Sequence, residues 1–236
     1  DIKDQVQTEF KDRTVHSIKQ SASPQEEATY SALIDTPYTV KGEFNSEKPG
    51  QLIRIGLQKA LFSSPAACLK SVKQRIKTLM SNEEASNLPQ SIIDEIDGLE
   101  MLMQALKNIE PQNWTKYQRL IELLKSKSFA WKKTNTEDRL VIFSERIETL
   151  NTLQTMLASD LKLNEKQIKQ LHGGMSDIEQ QAIVEEFSKP EEKLRVLLCS
   201  DVASEGINLH YLSHRLIHFD LPWSLMVFQQ RNGRVD

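Results

Sequence analysis

Apolar residues recur at helical spacing through the middle of the chain and as short runs near its end, and the two patterns predict two kinds of structure. After Ser64-Pro65, a helix-start signal, Leu69, Val72, Ile76 and Leu79 fall on one face. A polar patch, SNEEASNLPQ, separates them from a second stripe of Ile92, Ile96, Leu99, Met103 and Leu106, and Tyr117, Leu120, Ile121 and Leu124 make a third. These stripes predict packing faces. Before Leu61 the signals mix. RTVHSIKQ alternates like a strand, SPQEEATYSAL reads as a helix capped by Ser23 with Pro24 in its first turn, and TPYTVKGEFNSEKPG reads as loop.

The last hundred residues change character. RLVIF, IKQLH, RVLLC and RLIHF are short apolar runs bounded by turn or polar residues. Helical stretches (ERIETLNTLQTMLASDL, MSDIEQQAIVEEFS, SLMVFQQRNGR) lie after the first, second and fourth. Strands buried on both faces and alternating with helices predict parallel βαβ units in a three-layer α/β domain with a mainly parallel sheet. In such sheets ligands gather at the carboxyl ends of the strands. Those ends carry Ser144-Glu145-Arg146, Gly173-Gly174-Met175-Ser176, Ser200-Asp201 with Glu205-Gly206-Ile207-Asn208, and Asp220-Leu221-Pro222-Trp223.

Such residue types suit phosphates and a nucleotide. Gly173-Gly174 precedes a helix starting near Ser176, where backbone N–H groups and the helix dipole favour an anion, although a plain strand-to-helix turn has the same sequence. In the loop after RVLLC, the Ser200 hydroxyl can donate to a phosphodiester oxygen, Gly206 allows close backbone approach, and Asn208 can hydrogen-bond a ribose. Arg231 and Arg234 fall one turn apart beside Gln230, as a guanidinium fork for phosphate or as a solvated arginine face. A net charge of −3 gives no global basic footprint, so nucleic-acid binding requires a local face. Cys68 and Cys199 sit in apolar segments without metal-ligand spacing, which predicts reduced buried thiols and a cytoplasmic protein. His210, His214 and His218 are four apart but span loop and strand, a poor arrangement for a metal. No run approaches the roughly 18 apolar residues of a membrane span.

The order VIFSER, LHGGMS, CSDVASEGINL, HRLIHFDLPWS, QQRNGRVD resembles the successive motifs of the second RecA-like lobe of superfamily-two helicases. Gln230, where DEAD-box RNA helicases usually have His, together with the tryptophan of DLPWS, is most similar to bacterial RapA-like Swi/Snf-type ATPases. Those are double-stranded DNA translocases that displace or recycle DNA-bound proteins. The resemblance implies a largely helical Swi/Snf-type segment over 1–111 and the RecA-like lobe over 112–236. It implies that Arg231 and Arg234 reach ATP phosphates, Arg234 as the arginine finger, with Gln230 near the nucleotide or the attacking water. It places Asp201, Glu205, Gly206 and Asn208 at the nucleotide, and Ser144, Arg146, His172, Gly173, Gly174 and Ser200 on a DNA-tracking edge; His172 reads equally as a packed strand-end residue. ATP and Mg2+ are expected mainly on an upstream RecA-like lobe of the same polypeptide, since no GxxxxGK[ST] loop occurs here. A further arginine is expected beyond Asp236. An RNA helicase lobe and a non-catalytic docking module are the alternatives.

Overall fold

The computed structural model describes residues 14–39, 50–81, 88–201 and 213–233. In chain order the elements are α1 (Pro24–Asp35), α2 (Gln51–Ser63), α3 (Pro65–Ser81), α4 (Gln90–Lys107), a 3-10 turn (Pro111–Asn113), α5 (Thr115–Lys125), β1 (Arg139–Phe143), α6 (Ile147–Asp160), β2 (Ile168–Leu171), α7 (Asp177–Ser188), β3 (Val196–Cys199), β4 (Ser213–His218) and α8 (Leu225–Asn232).

Two expectations for the first sixty residues fail. Residues 14–20 form no strand. A helix, α2, occupies Gln51–Ser63, ten residues ahead of the expected helical onset. Its buried positions Leu57 and Ala60 do follow a helical period, but Gly56 in mid-helix weakens the local signal. The helix starts at Gly50, whose φ of +85° and close approach to Tyr38 exclude a side chain; a Cβ there would lie 2.6 Å from the Tyr38 carbonyl oxygen.

The other helices follow the sequence pattern. Ser23 caps α1 in a box with Glu26, and the same Glu26 accepts from the Thr115 amide (3.1 Å) and hydroxyl (2.7 Å), which fixes α1 to the start of α5. Leu33, Leu57, Cys68, Val72, Ile92, Leu99 and Leu106 share one helical core. Inside it the buried Glu95 receives Arg75 Nε at 2.8 Å and the Thr39 amide at 2.8 Å, so its charge is paired and its lone pairs are used. Both cysteines are buried and free, and burial pushes the Cys68 thiol up to about 12.

The four strands form one parallel sheet in the order β2-β3-β1-β4. Period-two alternation sorts its side chains: Leu140, Ile142, Val196 and Leu198 pack toward α5 and α6, while Val141, Phe143, Leu197 and Cys199 pack toward α7. The result is a three-layer, RecA-like α/β domain preceded by a helical segment. Arg139 opens β1 fully buried, with its guanidinium spent on the α7 C-terminus, where it donates to the carbonyls of Glu186 (2.8 Å), Phe187, Lys189 and Glu192 (3.3 Å). A fixed cation there satisfies the helix's last carbonyls and opposes its dipole.

Candidate functional site

All four strands end on the same edge, so the segments that follow them converge. The Arg231 guanidinium, on α8, is 1% exposed. It grips Asp201 with two bonds, from Nε to Oδ1 and from Nη2 to Oδ2 (2.8 Å), and donates from Nη1 to the Asp220 carbonyl at 2.5 Å. Its plane lies over Phe143, 5.4 Å from the ring centroid. The clamp joins the ends of β3 and β4 through one side chain, a bidentate pairing for which arginine is suited. Gln230, the preceding residue, is exposed on the same helix. Arg234, Glu205, Gly206 and Asn208 lie outside the described residues.

A second network sits behind the first. The Asp220 carboxylate is 9% exposed. Its Oδ2 accepts from Ser144 Oγ (2.5 Å), Ser63 Oγ (2.7 Å) and the Glu145 amide (3.3 Å), and its Oδ1 pairs with Lys116. Ser63 Oγ also meets Thr149 Oγ1 at 2.6 Å, and Ser64 Oγ meets it at 2.7 Å. Lys116 donates to the Phe62 carbonyl at 2.7 Å; burial lowers its pKa and Asp220 acts against that. The hub therefore links the α2–α3 junction, α5, β1, α6 and the end of β4.

The expected nucleic-acid residues separate. Ser144 is completely buried with its hydroxyl given to Asp220, so it does not reach the surface. Ser200 is buried as well, and its Oγ has no hydrogen-bond partner among the described residues. Arg146, half-buried, occupies the N-cap position of α6. Gly173 and Gly174 are exposed, and His172 closes their turn by accepting the Gly174 amide on Nδ1 at 3.2 Å. The α7 N-terminus that follows is occupied by a Ser176–Glu179 capping box. The carboxylate of Glu179 competes there with any incoming phosphate, and the Ser176 amide and hydroxyl lower its pKa.

Of the hub's members, the sequence singled out only Ser144 as a site residue, and as a nucleic-acid contact. Asp220 was visible as a strand-end acid, but Ser63, Ser64 and Lys116 lie 104 to 157 positions away from it, beyond any local pattern. Glu145 completes an acidic edge; burial and the nearby Asp201 raise its pKa.

His218 stacks on Phe228 (4.5 Å between centroids) and bonds Asn232 Oδ1 through Nε2 at 2.9 Å. Burial lowers its pKa from the ordinary value. The folded chain thus binds fewer protons at His218 than the unfolded chain does, and stability falls as pH drops below about 6.5 toward the lower folded value. Urea midpoints between pH 7.5 and 5.5 should decline more in the wild-type chain than in His218→Gln. Equal slopes would remove His218 from the pH response.

Among the described residues, no group of three or more His, Cys, Asp or Glu is placed to hold a metal ion, and no helix is long and apolar enough to cross a membrane. The helicase conserved C-terminal domain profile matches residues 115–236. RNA polymerase-associated protein RapA of Photobacterium profundum is 30% identical over 149 residues, which is 63% of this chain and 13% of that protein. RapA of Vibrio campbellii is 25% identical over 197 residues, 78% of this chain and 20% of that protein. The chain therefore spans a fifth or less of the length of these two relatives. In fold it is similar to the C-terminal part of the Fun30 ATPase domain, with a TM-score of 0.51 at 16% identity over 92% of this chain and 79% of that one.

Proposed function

The chain belongs to the helicase conserved C-terminal domain family, and from that membership we propose that it is the second lobe of an ATP-dependent double-stranded DNA translocase. Its partners in this reading are duplex DNA, a first RecA-like lobe of the same polypeptide and a DNA-bound protein complex. The observation that carries the reading is the convergence of the motif segments on one sheet edge, in the order found in RapA-like proteins, with Arg231 locking two of them together. In this reading Mg2+ and most of the ATP are held by the first lobe. ATP supplies the free energy of movement when bound there.

This lobe's own residues have narrower tasks. The Arg231–Asp201 clamp positions the end of α8, which carries Gln230 outward, and Arg234 is the finger that would stabilise charge on the transferred phosphoryl group. Arg146, His172 and the Gly173-Gly174 turn would meet the sugar-phosphate backbone without reading sequence. The buried Ser144 belongs to the hub instead.

ATP turnover by a protein containing this lobe, measured with duplex DNA, single-stranded RNA and no polymer, tests the proposal. Duplex DNA should give the greatest stimulation. Stimulation by RNA alone would make the protein an RNA helicase, and turnover indifferent to both polymers would leave a docking module.

A further inference from the structure

We infer that α3 carries a contact row for the phosphodiester backbone of duplex DNA, formed by Lys70, Lys73 and Lys77 and continuous with Arg146 on the lobe. The inference rests on the nucleic-acid reading of the lobe and extends it to the helical segment, which that reading leaves without a task.

Charge distribution is the first observation. The chain as a whole is at −3, yet the 17 residues of α3 contain Lys70, Lys73, Arg75 and Lys77 and no acid. On the opposite face of the sheet, α7 has the reverse composition: Asp177, Glu179, Glu185 and Glu186 with no Lys or Arg. Arg75 turns inward to Glu95. Lys70, Lys73 and Lys77, at i, i+3 and i+7, point outward along a shallow groove lined also by Ala66, Leu69 and Gln74. Lys73 and Lys77 have no ion pair among the described residues, so their charge is uncompensated.

Placement is the second. Helix α3 packs on α6, and Lys70 pairs with Glu148, two residues after Arg146. The row thus starts beside the carboxyl end of β1 and leads away from it. From Lys70 to Lys77 it covers about 10.5 Å at 1.5 Å per residue, roughly three nucleotide rises at about 3.4 Å per strand. A strand crossing the lobe edge at Arg146 would continue along α3 with phosphates opposite successive lysines.

The test is the salt dependence of binding. Affinity of this chain for duplex DNA and for single-stranded RNA is measured from 50 to 200 mM salt, with Lys73→Gln/Lys77→Gln and, as a control, Lys125→Gln/Lys127→Gln at two exposed lysines after the third apolar stripe. Loss of two phosphate contacts should flatten the log K against log salt slope by about 1.8 on duplex DNA and about 1.4 on a single strand. The control should leave both slopes in place, and flattening confined to the single-stranded RNA overturns a row for duplex DNA. An unchanged slope in the α3 variant, or equal flattening in the control, overturns the contact row while leaving the lobe's own binding intact. Failure of the wild-type chain to bind either polymer at 50 mM salt overturns the nucleic-acid reading and this row with it.

Discussion

Alanine at Arg234 is expected to lower polymer-stimulated ATP turnover about a thousandfold or more while leaving the lobe folded, whereas breaking the Arg231 clamp is expected to act first on stability. The two arginines stand three residues apart and resemble a single phosphate-binding pair, yet Arg231 has its donors committed inside the lobe to Asp201 and the Asp220 carbonyl. Asp201→Ala strands a guanidinium that is 1% exposed, which should cost about 3–5 kcal/mol. Arg231→Met should cost less, about 1.5–3 kcal/mol. The Asp201 carboxylate it leaves behind is 27% exposed and rehydrates, and the thioether still covers Phe143. In the double variant no stranded charge remains, so the losses should not add. Urea unfolding of the four proteins, beside turnover of Arg234→Ala in a protein containing both lobes, separates the roles. If Asp201→Ala were no less stable than Arg231→Met, or if Arg234→Ala hydrolysed ATP normally, the division of labour between the arginines would be wrong.

The inward commitment of Arg231 marks where sequence and structure part. Short apolar runs and helical stripes identified β1 to β4 and α3 to α8 because each pattern is local. The elements differ in how far they bury the predicted face, since edge strand β2 half-exposes Lys169 and Gln170 and α8 buries only Arg231 while Leu225 and Met226 stay exposed. RLVIF is β1 to the residue, and Tyr117, Leu120, Ile121 and Leu124 are all buried on α5. Helix α2 escaped because its signal depends on tertiary contact: Gly50 starts it only by fitting under Tyr38. The candidate site was legible as a set of strand ends, since topology alone gathers them. Which of its side chains face outward was not. Ser144 and Arg231 carry the residue types of a phosphate site, but their orientation is decided by Asp220 and Asp201, and no spacing rule links positions 30 to 76 residues apart.

Asp220→Ala should destabilise the chain by about 3–5 kcal/mol, the cost of removing one member of a buried charged network. The carboxylate answers Lys116, Ser63 and Ser144 at once, so its loss leaves an ammonium held against the Phe62 carbonyl with no anion and two buried hydroxyls short of an acceptor. The contacts cross between the α2–α3 junction and the sheet, which predicts a second effect. With the hub gone, the helical core built on Leu57, Cys68, Val72 and Leu99 is held to the sheet mainly by α3 against α6, including the exposed Lys70–Glu148 pair, and by α1 against α5. Urea unfolding should then broaden, with a lower m-value and transitions that no longer coincide between far-ultraviolet dichroism and the fluorescence of Trp114 and Trp131 in the sheet core. Adding Lys116→Met to Asp220→Ala should recover part of the loss, because the stranded charge goes with it. A sharp transition at the wild-type midpoint in Asp220→Ala would show that apolar packing alone joins the helical segment to the lobe.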